Sequence, residues 1–288
     1  MIPAAFDYAR PASLDEALML LARSGGSAKV LAGGQSLLPL MRLRLASPGQ
    51  LIDIGRIAEL RAIRDLGGGA TAIGALATYR GVLDSELATR NHPILATAIP
   101  LIGDVQVRNR GTLGGAIAHA DPASDLPAIL LALDATVVIR SGNGERVVGI
   151  DGFFQGAFAT DLAEDEILTE IRLPATPPGA GMAYRAIEQP ASGYSMVGVA
   201  AVVGRNGGSI GHARIAITGV GEVAYRAAAV EAALVGSDGG AAAIGAAAVH
   251  ATDGQVVSSD FNANAEYRAV MAEVHTRRAI EAALAAVD

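Results

Sequence analysis

The chain has 288 residues, 51% hydrophobic and 18% charged, enough apolar surface for two or three small domains with real cores and incompatible with a disordered polymer. A formal net charge of -7 with no basic run argues against nucleic acid as a partner. The lack of cysteine excludes disulfides, thiolate nucleophiles and cysteine-held clusters, so any iron-sulfur centre belongs to another chain, and five histidines without H-x-x-x-H spacing argue against a metal site.

In chain order, the first residues carry no charged stretch followed by an apolar one, and no apolar run reaches bilayer-spanning length. These features predict a cytoplasmic protein. Ser13 and Glu16 form a capping box, with Ser13 accepting from the Glu16 N–H and the Glu16 carboxylate reaching back to Ser13. The box predicts a helix to about Ser24, stopped by Gly25-Gly26, with Leu14, Ala17, Leu18, Leu21 and Ala22 on its apolar face. Ala28 to Leu31 reads as a short buried strand and Leu51 to Ile54 as another. A unit boundary is expected between Asp53 and Glu59.

Beyond the Gly67-Gly68-Gly69 turn, Ala70 to Ala77 is strand-like and Ile94 to Ile102 suits a buried helix. Pro127 to Leu133 reads as helix and Ala135 to Arg140 as strand, closed by a hairpin turn at Gly142-Asn143-Gly144. The prolines from Leu173-Pro174 to Pro177-Pro178-Gly179 are the strongest linker signal. After them come strands at Val197 to Val203 and Ala213 to Ile217. Alanine-rich helices follow at Val230 to Leu234, Ala241 to His250 and Tyr267 to Ala285, an α+β arrangement.

Two glycine segments, Leu31-Ala32-Gly33-Gly34-Gln35-Ser36 and Gly111-Thr112-Leu113-Gly114-Gly115, are the best clue to function. Paired glycines let backbone N–H groups approach a ligand, and the Ser36 and Thr112 hydroxyls add donors. Two such segments could grip one pyrophosphate from both sides, although a double glycine is also an ordinary turn signal. Neither segment fits G-x-x-x-x-G-K-[ST] or G-x-G-x-x-G. A nucleotide site here therefore belongs to another fold.

The wording and order of these segments resemble the FAD-binding medium subunits of the molybdenum hydroxylases, the family of carbon monoxide dehydrogenase and bacterial xanthine dehydrogenase. The matching text comprises Phe6-Asp7-Tyr8, Arg10 to Ala17, Lys29 to Pro39, Gln106 to Gly115 and Ala118 to Asp125. The resemblance implies an α+β, PCMH-type (vanillyl-alcohol-oxidase-like) FAD-binding fold. Residues 1–56 and 57–174 would be its two subdomains, and residues 175–288 a C-terminal domain of the carbon monoxide dehydrogenase flavoprotein type.

It further implies that Lys29, Val30, Leu31, Ala32, Gly33, Gly34, Gln35 and Ser36, with Thr112, Leu113, Gly114 and Gly115, embrace the FAD pyrophosphate. Asp125 would accept from ribityl or ribose hydroxyls, with a helix N-cap as its alternative role. Ile102 and Leu168 would touch adenine or flavin, and would otherwise be plain core residues. Tyr194 would stack near the isoalloxazine ring. Asp121 reads as a turn residue. No residue is assigned to acid–base catalysis.

The partners implied are a large molybdopterin-binding subunit holding the molybdenum cofactor and a small iron-sulfur subunit with two 2Fe-2S clusters. They would form a dimer of heterotrimers, a heterohexamer that could associate with the inner face of the membrane. FAD in this chain would pass electrons to an external acceptor. A stand-alone flavin-dependent oxidoreductase of the same fold and a non-catalytic assembly subunit are the alternatives. The chain departs from the family at Glu188 and Gln189, where relatives carry a cation, and at Ala116, where many carry asparagine.

Overall fold

The structure, a computed structural model, describes residues 2–287. Its three main sheets come from successive stretches of chain. The first stretch holds β1 (Asp7–Ala9), α1 (Leu14–Arg23), β2 (Ala28–Leu31), α2 (Leu37–Arg42) and β3 (Gln50–Asp53). The strands pair in parallel in the order β1-β3-β2, which requires crossovers, and α1 is the first of them. Ser13 accepts from the Glu16 N–H at 3.2 Å as the capping box predicts. The Glu16 carboxylate, however, takes the N–H of Ala12 at 2.8 Å, one residue earlier than expected. Leu14, Ala17, Leu18 and Leu21 pack with Ile52 and Ile54 in a small core under this sheet.

The second stretch opens with the hairpin β4 (Ile63–Gly67) and β5 (Ala70–Gly74), turning on the triple glycine. The strand expected to reach Ala77 ends at Gly74 because the chain crosses to other partners. The Ala75 N–H goes to the Thr169 carbonyl at 2.9 Å and the Leu76 N–H to the Leu60 carbonyl at 2.7 Å. Helices α3 (Tyr79–Leu83), α4 (Glu86–Asn91) and α5 (Pro93–Ala98) follow. The single helix expected over Ile94 to Ile102 stops at Ala98 and tightens to a 3-10 turn at Ile99–Leu101, where Pro100 has no N–H to give. Asp104 then accepts from the Val107 N–H at 2.8 Å and starts α6 (Val105–Arg110), a helix the sequence reading did not include.

Next come α7 (Leu113–His119), α8 (Asp125–Ala132), the hairpin β6 (Thr136–Ser141) and β7 (Gly144–Gly149), a small pair β8 (Phe154–Gly156) and β9 (Ala159–Thr160), and β10 (Ile167–Leu173). They complete an antiparallel sheet in the order β4-β5-β10-β6-β7, covered by α8, every residue of which is buried.

The proline-rich link leads into β11 (Ala180–Glu188), β12 (Ser195–Asn206), β13 (Ser209–Thr218) and β14 (Tyr225–Arg226), an antiparallel meander. Along β11 and β12 alternate residues enter different cores. Tyr184, Ala200 and Val202 join the core of the second stretch, whereas Val197, Val199, Ala201 and Val203 face α9 (Ala228–Leu234), α10 (Ala241–Ala248) and α11 (Ala265–Ala285). A sheet buried on both faces explains the unbroken apolar run from Val197 to Val203.

His92, between α4 and α5, is fully buried, and neither ring nitrogen has a hydrogen-bond partner. Burial disfavours the imidazolium and pushes the ring down to about 4. The unfolded chain, with an ordinary histidine near 6.5, binds a proton first as pH falls. His92 therefore supports the fold above pH 6.5, and that support is lost as pH drops from 6.5 through about 4. The loss amounts to ~3 kcal/mol. A His92→Gln variant, followed by urea unfolding at a series of pH values, is expected to show a flatter stability profile over this window. An unchanged slope would refute the assignment.

Candidate functional site

The two glycine segments meet in space. Strand β2 delivers Ala32 to Ser36 at its C-terminal end, beside the turn between α6 and α7. A Cβ on Gly33 would overlap the Arg110 carbonyl oxygen and lie 3.0 Å from the Gly111 Cα, while one on Gly115 would lie 3.8 Å from the Ala32 Cβ. Glycine thus allows one backbone to rest on the other.

Their hydrogen bonding differs. Among the described residues, the N–H groups of Ala32 through Ser36 donate to no other backbone or side-chain group. In the second segment the Leu113 N–H goes to the Ala77 carbonyl and the Gly114 N–H to the Ala75 carbonyl, both at 3.0 Å. The Gly115 N–H goes to Thr112 Oγ1 at 3.1 Å, and Thr112 is the N-cap of α7. The second segment is therefore a capped helix start whose amides from Leu113 to Gly115 are already paired, which leaves the Thr112 N–H as its one amide without a partner among the described residues. A Cβ on Gly114 would lie 2.5 Å from that of Ala75, so this glycine serves close packing.

Both segments line a cleft of about 960 Å³, at the upper end of small-molecule sites. Of the expected site residues, Lys29 to Ser36, Ile102, Thr112, Gly114, Gly115, Asp125, Leu168 and Tyr194 all line it. Leu113 does not; it is fully buried in the core beneath α7. The strand β2 is less buried than expected, because Val30 and Leu31 are half-exposed along the cleft wall.

Lys29 is the one lysine or arginine among the lining residues. Glu166, also on the wall, is held by Arg146 through bonds of 2.7 and 2.6 Å, and this guanidinium keeps its carboxyl below the usual carboxylate range. A diphosphate here must be bound chiefly by oriented backbone amides rather than by a cationic clamp.

Tyr194, about half exposed, lines the same cleft with the buried Tyr79, whose ring lies beside Gly111 and which is not among the residues expected from the sequence. Burial raises both phenols, so they remain neutral hydroxyls. The preceding Thr78, which caps α3 by accepting from the Gly81 N–H at 3.0 Å, was the local signal for Tyr79. His119 and Phe158 pack in a tilted pair, with ring centroids 5.1 Å apart and an interplanar angle of 43°, at the same cleft. Burial lowers the His119 imidazole.

Asp125 is the first residue of α8, and Ser124 holds the N-cap position, so the carboxylate is not the cap. It is buried, and its Oδ1 accepts from the hydroxyls of Tyr184 and Ser195. Burial raises its carboxyl above the ordinary value against the opposing effect of these hydrogen bonds. Asp121 is the turn residue expected, accepting from the Ala123 N–H at 2.9 Å.

A cleft of this size lined both by unspent amides and by aromatic side chains defines a protein that binds a nucleotide cofactor. Comparison with known proteins narrows the class. A family model described as "FAD binding domain in molybdopterin dehydrogenase" matches residues 4–176, and "CO dehydrogenase flavoprotein C-terminal domain" matches residues 182–283. The chain is 42% identical over 285 residues to the carbon monoxide dehydrogenase medium chain of Hydrogenophaga pseudoflava, covering 99% of each. It is 36% identical to the caffeine dehydrogenase subunit beta of Pseudomonas sp. strain CBB1, over 97% of this chain and 95% of that one.

Among solved structures, a carbon monoxide dehydrogenase from Hydrogenophaga pseudoflava matches with a TM-score of 0.96 at 44% identity, over 99% of both chains. Quinoline 2-oxidoreductase from Pseudomonas putida 86 matches with a TM-score of 0.93 at 34% identity, over 100% of this chain and 99% of that one. The chain belongs to the family of FAD-binding medium subunits of the molybdenum hydroxylases, and its cofactor is FAD. The residues present fit that cofactor: the five unspent amides can meet its diphosphate, and the same cleft is lined by the aromatic Tyr194.

Proposed function

We propose that FAD lies along this cleft with its diphosphate on the amides of Ala32 to Ser36, the isoalloxazine near Tyr194, and Asp125 on a ribityl or ribose hydroxyl. The observation that carries this reading is the run of unspent amides facing the cleft. Gly114 and Gly115 contribute chiefly by shape, and Thr112 offers its unpaired N–H and the proton of its hydroxyl. Ile102 and Leu168 supply apolar wall. In this reading residues 1–56 and 57–174 are the two FAD-holding subdomains, and residues 175–288 close the site from the side of Tyr194.

When bound, FAD supplies the redox chemistry, taking electrons from two 2Fe-2S clusters of a small subunit and passing them to an external acceptor. The chain's own residues orient the cofactor and shield it. The neutral phenols of Tyr79 and Tyr194 offer hydrogen bonds without charge. With Glu188 and Gln189 in place of a family cation, no positive side chain at that point stabilises a negative charge on the ring.

Chains similar to this one over nearly their whole length belong to proteins named for carbon monoxide, caffeine and quinoline, so substrate choice rests with the large molybdopterin-binding subunit. The assembly proposed is a dimer of heterotrimers in the cytoplasm, able to associate with the inner face of the membrane. No helix among the described residues is long and apolar enough to cross one.

The test is isolation of the complex through a tag on this chain, with an absorption spectrum and mass spectrometry of the copurifying polypeptides. Flavin bands with iron-sulfur absorbance and two partner chains are expected. A colourless lone chain that cannot be reconstituted with FAD would overturn the proposal.

A further inference from the structure

The turn that carries Asp125 is gripped from the C-terminal sheet. Thr218 Oγ1 shares its one proton between the Pro122 and Ser124 carbonyls, at 2.9 and 2.8 Å, and the Gly219 N–H donates to the Pro122 carbonyl at 2.9 Å. Two further hydroxyls act on the carboxylate itself. Tyr184 on β11 and Ser195 at the start of β12 both donate to Asp125 Oδ1, the latter at 2.6 Å.

Tyr184, Ser195 and Asp125 are all buried, and Tyr184 is part of the largely apolar core of the second stretch. Hydroxyls in such a place cost free energy unless paired, so a core serving stability alone would use phenylalanine and alanine here. Room for the phenol is made by Gly198, where a Cβ would overlap the Tyr184 hydroxyl and lie 2.9 Å from Thr218 Cγ2. Both donors converge on one carboxylate oxygen. That leaves Oδ2 as the oxygen available for a ligand in the cleft, which Asp125 lines.

We infer that Tyr184 and Ser195 are positioning residues that hold the Asp125 carboxylate in the orientation FAD requires, so the C-terminal unit takes part in cofactor binding through a residue it does not contain. The inference rests on the reading of Asp125 as a FAD contact. Neither hydroxyl touches the cofactor; each acts by fixing the plane of the carboxylate and occupying the oxygen turned away from the ligand.

The experiment uses the complex isolated through this chain, stripped of flavin with bromide salt and titrated with FAD by fluorescence quenching. Asp125→Ala is expected to weaken FAD by tenfold or more, and Tyr184→Phe/Ser195→Ala by about tenfold. Because the hydroxyls act through the carboxylate, removing them in the Asp125→Ala background is expected to add less than about twofold, the signature of a shared pathway in a double-mutant cycle. If the double variant does not fold, Ser195→Ala carries the test alone, with an expected loss of about threefold that Ser195→Thr restores.

Wild-type affinity in Asp125→Ala would overturn the contact reading itself. Weakening in Asp125→Ala with wild-type affinity in Tyr184→Phe/Ser195→Ala would overturn the positioning role and leave the contact reading standing. An equal loss with and without Asp125 would also overturn it, because the hydroxyls would then act through packing.

Discussion

Gly33→Ala is expected to empty the cleft of FAD. The added methyl has only backbone to meet: it would overlap the Arg110 carbonyl oxygen and lie 2.9 Å from the carbonyl carbon and 3.0 Å from the Gly111 Cα. No flexible side chain can yield, so one glycine segment must move off the other. The amides of Ala32 to Ser36 shift with it, and hydrogen bonds to a charged oxygen weaken steeply with misalignment. Losing two or three of them corresponds to roughly a hundredfold or more in affinity. FAD per chain in the isolated complex should then fall below about a tenth of wild type, with a stability cost of about 1–3 kcal/mol from overpacking. Gly142→Ala, where a Cβ meets nothing within 4 Å, is the control and should keep its flavin. Full flavin occupancy in Gly33→Ala would show that the segments need not touch for FAD to bind.

This prediction depends on a distinction that local sequence does not make. Both glycine segments announce a close backbone approach, and both line the cleft. Which of them has a continuous run of amides to spare is decided by the Ala75 and Ala77 carbonyls, some forty residues before the Gly114 and Leu113 N–H groups that donate to them and legible only once β5 is seen to stop at Gly74. Helices with short-range signals were read closely, as at Ser13 to Ser24, because the cap, the apolar face and the stop lie within one segment. The local signal is weakest where a proline or an aspartate redirects the chain, at Pro100 and Asp104. Strand β11, which starts just after the linker, carries no clear strand signal in the sequence. Its two faces enter different cores, so it lacks the polar–apolar alternation that marks a half-buried strand. Asp125 was found by resemblance, but its partners Tyr184 and Ser195 lie 59 and 70 residues further on, beyond any motif.

Arg268→Met should destabilise the C-terminal unit most among single substitutions on that side, by about 3 kcal/mol. Arg268, in the first turn of α11, is only 5% exposed. Its guanidinium donates to the Met196 carbonyl at 2.6 Å, to the Gly219 carbonyl, and to the Asp260 carboxylate at 2.7 Å. One planar fork thereby joins the start of β12, the turn after β13 and the loop before α11. Methionine fills much of the volume but leaves two carbonyls without this donor, and Arg268→Lys, with a single nitrogen, cannot serve acceptors in two directions. The melting temperature should fall by roughly 6–12 °C in Arg268→Met, and a shift within about 2 °C would refute the role. The effect should also reach the cofactor. Gly219 donates to the Pro122 carbonyl, three residues before Asp125, so loosening the turn after β13 loosens the support of the carboxylate. Arg268→Met is therefore expected to lower melting temperature and FAD affinity together, whereas removal of the Tyr184 and Ser195 hydroxyls lowers FAD affinity with a smaller loss of melting temperature. The C-terminal unit would then act on the flavin both by its fold, secured at Arg268, and by two hydroxyls set against one oxygen.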